Sequence, residues 1–330
     1  MLDSSTTIPI EIAIKNAAAA ISHAQRIVCA CHVNPDGDAI GSMLGLALAL
    51  RSTGKTVETL CDDPVPETLQ FLPGVAGVTQ SPTIETYSLG IGLDAGDPKR
   101  LGASAAAVLA SSSIINIDHH AVGTGFGNIR VVDATRASTA ELVYDLLTYM
   151  NLPITADIAQ CLMTGIFTDT GGFRFPATSP STYRMAAELR EAGADANTIA
   201  THVYESRSES AQRLLGRALA NMGRSPGGDV VWSVVTAADF AQTGTSDADT
   251  EGISHGLRCV RGSKVALLLR EQATDRFRVS LRSQEGVDVA TVANQFGGGG
   301  HRLASGCTMS GNSAAVLTQL LAELSKVGVD

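Results

Sequence analysis

The residues predict an α/β protein in two domains. Short apolar runs that read as buried strands alternate with Ala/Leu-rich helical runs through the first half of the chain. That alternation gives way to a charged helical stretch without strand signals at 195–219 and restarts beyond it. The composition agrees, because 33 Gly, 4% aromatic and 44% apolar residues in a chain of 330 suit close helix–sheet packing around ordinary cores. The expected boundaries are 1–194 for a larger parallel-sheet domain, 195–219 for a helical linker and 220–330 for a smaller α/β domain.

In chain order, residues 9–25 carry a helical apolar pattern and are expected to pack across the first strand, Arg26 to Cys31. That strand runs into His32-Val33-Asn34-Pro35-Asp36-Gly37-Asp38, and a helix follows from Met43 to Leu50. An imidazole and two carboxylates thus sit on a strand-to-helix turn, where open α/β sheets gather ligands. Pro35 and Gly37 bend the loop so that Asp36 and Asp38 can diverge, a geometry suited to two metal ions. The same aspartates also have the chemistry of turn formers and helix caps.

Gly54-Lys55 turns the chain into a second strand, Thr56 to Cys61, and strand–helix–strand order predicts a parallel sheet. Ser88 to Leu93 is a further strand that delivers Asp94 at its carboxyl end, and Ser113 to Ile117 does the same for Asp118-His119-His120. Carboxyl ends of parallel strands share one edge, so these three loops can converge. At a strand end neighbouring side chains face opposite sides. One of His119 and His120 is therefore expected to coordinate while the other faces substrate or a residue supporting the site, and Asp118 can hold the ligating imidazole's second nitrogen. Helices are expected at 138–150 and 155–167, the second running into Asp169 before a Gly turn, and another at 180–193.

A net charge of −9 and a pI near 5.3 argue against binding long nucleic acid, which depends on Lys and Arg neutralising many phosphates. Met1 to Ile10 lacks a basic cluster before an apolar core, and Met43 to Leu50 is far shorter than the roughly 20 residues of a membrane span. A cytoplasmic location without membrane attachment is expected. Six cysteines lie dispersed in apolar contexts and read mostly as buried thiols.

In the second domain Val230 to Val235, Lys264 to Arg270 and Phe277 to Arg282 read as strands. Gly297-Gly298-Gly299-Gly300-His301 follows, and consecutive glycines let backbone amides approach an anionic or planar group closely. His301 can hydrogen-bond a phosphate there, and Arg258, Arg261 and Arg282 are the candidate cations, Arg282 first.

These segments together resemble the DHH/DHHA1 phosphoesterases: His32 to Ala39, Asp94, Asp118-His119-His120, Asp169-Thr170-Gly171, then Gly297 to His301 with Ala304 and Gly306, in the family's order. Ser305 stands where that family often has Ala. The resemblance implies a DHH domain and a DHHA1 domain with a cleft between them. It implies metal ligands at His32, Asp36, Asp38, Asp94, His119 and Asp169, Asp94 bridging two divalent cations, with manganese the family expectation. It further implies a phosphate contact from His120 and nucleotide binding by Gly298, Gly299, Gly300 and His301.

Among branches, the two-domain length is similar to the bacterial oligoribonucleases that also dephosphorylate 3′-phosphoadenosine 5′-phosphate (pAp). Two-metal hydrolysis of short oligoribonucleotides to 5′-mononucleotides, and of pAp to AMP and phosphate, is the implied activity. A homodimer is compatible with it. Hydrolysis of cyclic di-AMP or pApA is the nearest alternative, followed by inorganic pyrophosphatase activity and a non-catalytic nucleotide sensor.

Overall fold

The computed structural model describes residues 9–120, 125–250, 252–284 and 286–330; residues 1–8, on which the expectation about a leader rests, and the side chain of His301 lie outside that description. The chain forms two compact units, Met1–Ser206 and Arg207–Asp330. Among the described residues no helix is long and apolar enough to cross a membrane.

The first unit begins with helix α1 (Ile10–His23), whose Ala13, Ile14, Ala17, Ala18 and Ile21 recur at helical spacing and are buried. Strand β1 (Arg26–Cys31), helix α2 (Gly37–Ser52), and strands β2 (Thr56–Leu60), β3 (Val78–Thr79) and β4 (Leu89–Leu93) follow. Then come α3 (Ala105–Leu109), β5 (Ser113–Asp118) and β6 (Ile129–Val132), of which the sequence signalled β5 and missed the short β3 and β6. Helices α4 (Thr139–Tyr149), α5 (Ala156–Asp169), α6 (Pro180–Glu191) and α7 (Ala196–Tyr204) complete the unit.

The strands form one parallel sheet in the order β3-β2-β1-β4-β5-β6. Because β1 and β4 are buried along nearly their whole length, they read as continuous apolar runs. The order reverses between β1 and β4, so the residues after Cys31 and Leu93, which pair in register, emerge at a topological switch point. Helix α2 is buried on nearly all sides and packs against α5. At their crossing, a Cβ on Gly41 would sit 2.4 Å from the Cys161 carbonyl, so only glycine permits this approach.

In the second unit α8 (Glu209–Ala220), β7 (Gly223–Arg224), β8 (Val230–Val235), α9 (Ala237–Thr243), α10 (Ile253–Arg258), β9 (Val265–Ala273) and β10 (Arg276–Ser283) precede α11 (Val289–Gln295). Strands β11 (Gly299–His301) and β12 (Ala304–Ser310) and helix α12 (Ser313–Lys326) end the chain. The sheet order is β11-β12-β10-β9-β8-β7, with β8 and β9 parallel and the other pairs antiparallel. Val279 and Leu281 of β10 face one core with α11 and α12, while Val231 and Leu268 face another with α8 and α10.

The stretch expected as a linker is divided. Ile199 of α7 is buried in the first unit's core and Leu214 of α8 in the second's, with Ser208 capping the start of α8. Of the six cysteines, five are buried free thiols and Cys259 is exposed.

Candidate metal centre

Three strand-end loops and one helix end bring the acidic and imidazole groups of the first unit together. Asp36 caps α2, its Oδ1 accepting from the Asp38 and Ala39 amides at 3.1 and 3.0 Å, so the plain capping role is present. Its second oxygen nevertheless lies 3.8 Å from His32 Nε2. Asp38, fully buried in the first turn of α2, accepts from the Thr139 and Ala140 amides at 2.6 and 2.9 Å, at the start of α4. Those amides are orphan donors of a helix N-terminus, which favours a carboxylate there.

Asp94 stands between the two halves of the cluster. It follows β4 in the left-handed region (φ 57°). Its Oδ2 is 3.2 Å from His32 Nε2, whereas its Oδ1 is 3.6 Å from His119 Nε2 and accepts from Thr139 Oγ1 at 2.9 Å. His119 Nε2 is also 3.0 Å from Asp169 Oδ2 at the end of α5, and 3.9 Å from Asp38 Oδ2. Three sets of donor atoms lie close enough to share a cation: His32, Asp36 and Asp94; Asp38, His119 and Asp169; Asp94, His119 and His120.

The ring orientations fit metal ligation. Nδ1 of His32 faces the Val33 carbonyl at 2.8 Å, and Nδ1 of His119 faces the Arg136 carbonyl at 3.3 Å. A carbonyl only accepts, so both rings carry hydrogen on Nδ1 and turn Nε2 toward the carboxylates, the orientation of a ligating imidazole. A mixed nitrogen and oxygen donor set suits manganese, iron or zinc better than calcium or magnesium, which prefer oxygen alone.

The buried charges shift one another's protonation. Burial lowers the His32 and His119 imidazoles, but Asp94 and Asp36 around the first, and Asp169, Asp38 and Asp94 around the second, raise them to about 9 and about 10. Burial and the charges of Asp94 and Asp169 push Asp38 well above the carboxylate range. Asp94 is itself buried, yet the facing imidazoles hold it well below that range. A divalent cation would replace this imported positive charge, as deprotonated ligands require.

The two adjacent histidines depart from the expected alternation. Because β5 ends at Asp118, His119 and His120 leave the pleat and their rings lie 4.7 Å apart. With His119 as the ligating imidazole, Asp118 was expected on its second nitrogen; Asp118 Oδ1 instead accepts from His120 Nδ1 at 2.7 Å. His120 Nε2 is thereby left 3.5 Å from Arg100 Nη1. Arg100 is positioned by its carbonyl, which accepts from the Val33 amide at 2.7 Å and ties the two loops together. Neither Arg100 nor Thr139 was found from the sequence. Arg100 follows Asp97-Pro98 in an ordinary-looking turn, and Thr139 is one of several Ser/Thr residues near a helix start.

In the second unit the glycine run is partly strand. Gly297 takes a left-handed turn (φ 69°), and Gly299–His301 pairs with Ala304–Gly306 as β11. At Gly298 a Cβ would meet the Gly306 carbonyl at 2.2 Å, so the close approach requires glycine. Beside it lies a cavity of about 480 Å³ lined by Gly297, Gly298, Gly299, Arg278, Ser280 and Arg282, among others. Gly300 and Arg258 do not line it, although the Arg258 charge, after burial and Arg270, helps lower the Arg282 guanidinium.

Residues 26–166 match the family model for the N-terminal domain of the DHH family, and residues 229–327 match that for the DHHA1 domain. The bifunctional oligoribonuclease and PAP phosphatase NrnA of Thermus thermophilus is 37% identical over 288 residues, 86% of this chain and 84% of that protein. Its namesake in Bacillus subtilis is 28% identical, covering 88% of this chain and 91% of that one. A crystal structure of an exopolyphosphatase-related protein from Bacteroides fragilis superposes with a TM-score of 0.91 at 29% identity, over 98% of each chain.

Proposed function

We propose, from the premise that this chain belongs to the DHH family, that it hydrolyses short oligoribonucleotides to 5′-mononucleotides and pAp to AMP and phosphate. The observation that carries the reading is Asp94, one oxygen turned to His32 and the other to His119, which joins two donor sets across a single carboxylate. The two reactions are chemically one. In each, water adds to phosphorus and the bond from phosphorus to the ribose O3′ breaks, so one centre serves both substrates.

His32, Asp36, Asp38, Asp94, His119 and Asp169 are assigned to hold two divalent cations, manganese being the proposed metal. Bound there, such ions supply an acidified water and positive charge for the phosphoryl oxygens. Asp118 holds His120 through its Nδ1 hydrogen, and the Arg100 guanidinium beside Nε2 is assigned to donate to a phosphoryl oxygen as charge builds there; as the imidazolium, whose Nε2 also carries a hydrogen, His120 would join it. Thr139 restrains Asp94 by donating to Oδ1. On the second unit, Arg282, the amides of Gly298 and Gly299, and His301 are assigned to nucleotide phosphate, and Arg258 to the charge around Arg282. With such substrates, a cytoplasmic location is part of the proposal.

Phosphate release from pAp, and chromatography of products from a triribonucleotide, test the reading with and without added manganese. Hydrolysis of both, abolished by chelator, is expected. Failure on both by metal-loaded protein overturns it, and preference for pApA, cyclic di-AMP or pyrophosphate would move the activity to that substrate.

A further inference from the structure

A chain that is only 4% aromatic gathers several of its rings where α5 delivers Asp169. Phe167, two residues before Asp169, meets Phe173 edge-on at 5.6 Å and Tyr204 at 5.9 Å. Phe173, four residues after Asp169, stacks on Tyr183 of α6 with centroids 5.4 Å apart and planes 25° apart. Tyr183 is 54% exposed, and Arg174 and Arg184, next in sequence to the stacked pair, are both exposed.

The stack is held deliberately. Phe173 occupies the left-handed region (φ 63°), a conformation that a bulky residue keeps only when its surroundings impose it. Its amide donates to Thr170 Oγ1 at 2.9 Å, and its carbonyl accepts from the Tyr183 hydroxyl at 3.2 Å. Phe173 is half-buried and packs against the first unit's core, whereas Tyr183, stacked on it, is 54% exposed. An exposed ring held in place by a fixed neighbour and flanked by cations is what single-stranded nucleic acid recognises, because a base stacks on it and phosphates answer the charge.

We propose that Phe173 and Tyr183 form a stacking platform for an unpaired nucleobase of an oligoribonucleotide, beyond the nucleotide being cleaved, with Arg174 and Arg184 serving the connecting phosphates. The proposal rests on the oligoribonuclease and pAp phosphatase reading above. Since pAp has one base, that of the cleaved nucleotide, the platform distinguishes the two substrate classes.

The test compares kcat/KM for a triribonucleotide with kcat/KM for pAp in wild type, Tyr183→Ala, Tyr183→Trp and the double variant Arg174→Gln/Arg184→Gln. Tyr183→Ala should lower the trimer-to-pAp ratio about 5- to 100-fold, mainly through KM, and Tyr183→Trp should restore it. Binding of a phosphorothioate trimer in chelator should weaken in parallel, and the double variant should flatten its salt dependence. An unchanged ratio overturns the platform, including the case in which both substrates lose equally through misfolding. A drop in sedimenting mass for Tyr183→Ala with an unchanged ratio would assign the face to a second copy of the chain instead. If wild type hydrolyses neither substrate, the functional reading itself fails, a result distinct from these.

Discussion

Asp118 Oδ1 accepts a hydrogen bond from His120 Nδ1 at 2.7 Å, with Asp94 Oδ1 a further 3.5 Å from the same nitrogen, and the Asp118 contact fixes which nitrogen His120 presents. A carboxylate only accepts, so the ring hydrogen stays on Nδ1 and Nε2 is left toward Arg100. Replacing Asp118 by Asn removes the charge that fixes this orientation. Asp118→Asn is expected to lower kcat for pAp roughly 10- to 100-fold with KM within about twofold, as for other partners that orient a catalytic imidazole. Steady-state kinetics check it, and an unchanged kcat would remove His120 orientation from the mechanism.

Asp94→Asn leaves a side chain that tolerates the left-handed backbone at this position (φ 57°), so folding should survive. It removes the negative charge shared by the His32 and His119 halves. The loss should exceed the 10- to 100-fold typical of supporting residues. Hydrolysis of pAp falling by less than about 100-fold, in a variant with wild-type circular dichroism, would refute the shared role.

Thr139→Val deletes the hydroxyl that donates to Asp94 Oδ1 at 2.9 Å while keeping the helix start and the amide that binds Asp38. Manganese affinity, measured by titration of activity, should weaken roughly 10- to 100-fold with kcat at saturating metal largely retained. A fall in kcat at unchanged metal affinity would place Thr139 on the substrate instead.

Gly41→Ala places a methyl group 2.4 Å from the Cys161 carbonyl, where α2 and α5 cross. Those helices carry Asp38 and Asp169, so separating them loosens the cluster as well as the core. Overpacking of this kind costs about 1–3 kcal/mol, and both the melting temperature and the metal affinity should drop. Retention of both would mean that the crossing relaxes without disturbing its ligands.

Acid sensitivity also has a source within the second unit. Asp239 closes a capping box on α9 with Thr236 and binds Arg217 at 2.8 Å. Burial raises this carboxyl, but the Thr236 and Arg217 donors outweigh it and hold the group below its ordinary value. The contribution to stability is therefore present above the unfolded carboxylate pKa and is lost as pH falls through the depressed folded one. Asp239→Asn should cost about 1 kcal/mol at pH 7 and progressively less as pH falls through the depressed folded pKa, read from calorimetric melts at pH 7 and at the lowest pH where the protein still melts cooperatively. Equal destabilisation at both pH values would show that charge is not the cause.

The sequence by itself determined the strand-to-loop layout of the site. Apolar runs buried on both faces cannot be mistaken for solvated strands, and in a parallel sheet their carboxyl ends share an edge, so His32, Asp94 and His119 were bound to meet there. It also marked Asp169 at a helix end and the glycine run as a place of close backbone approach. Only the tertiary structure decided which neighbour each group takes. Asp118 turns to His120 because β5 stops one residue before the histidines, and Thr139 and Arg100 join the cluster from elements that sequence spacing does not place beside it. The short strands β3 and β6, and the ring stack beside Asp169, likewise depend on contacts made after the chain has packed. Periodicity reports burial along one element, whereas a site is made of distances between several.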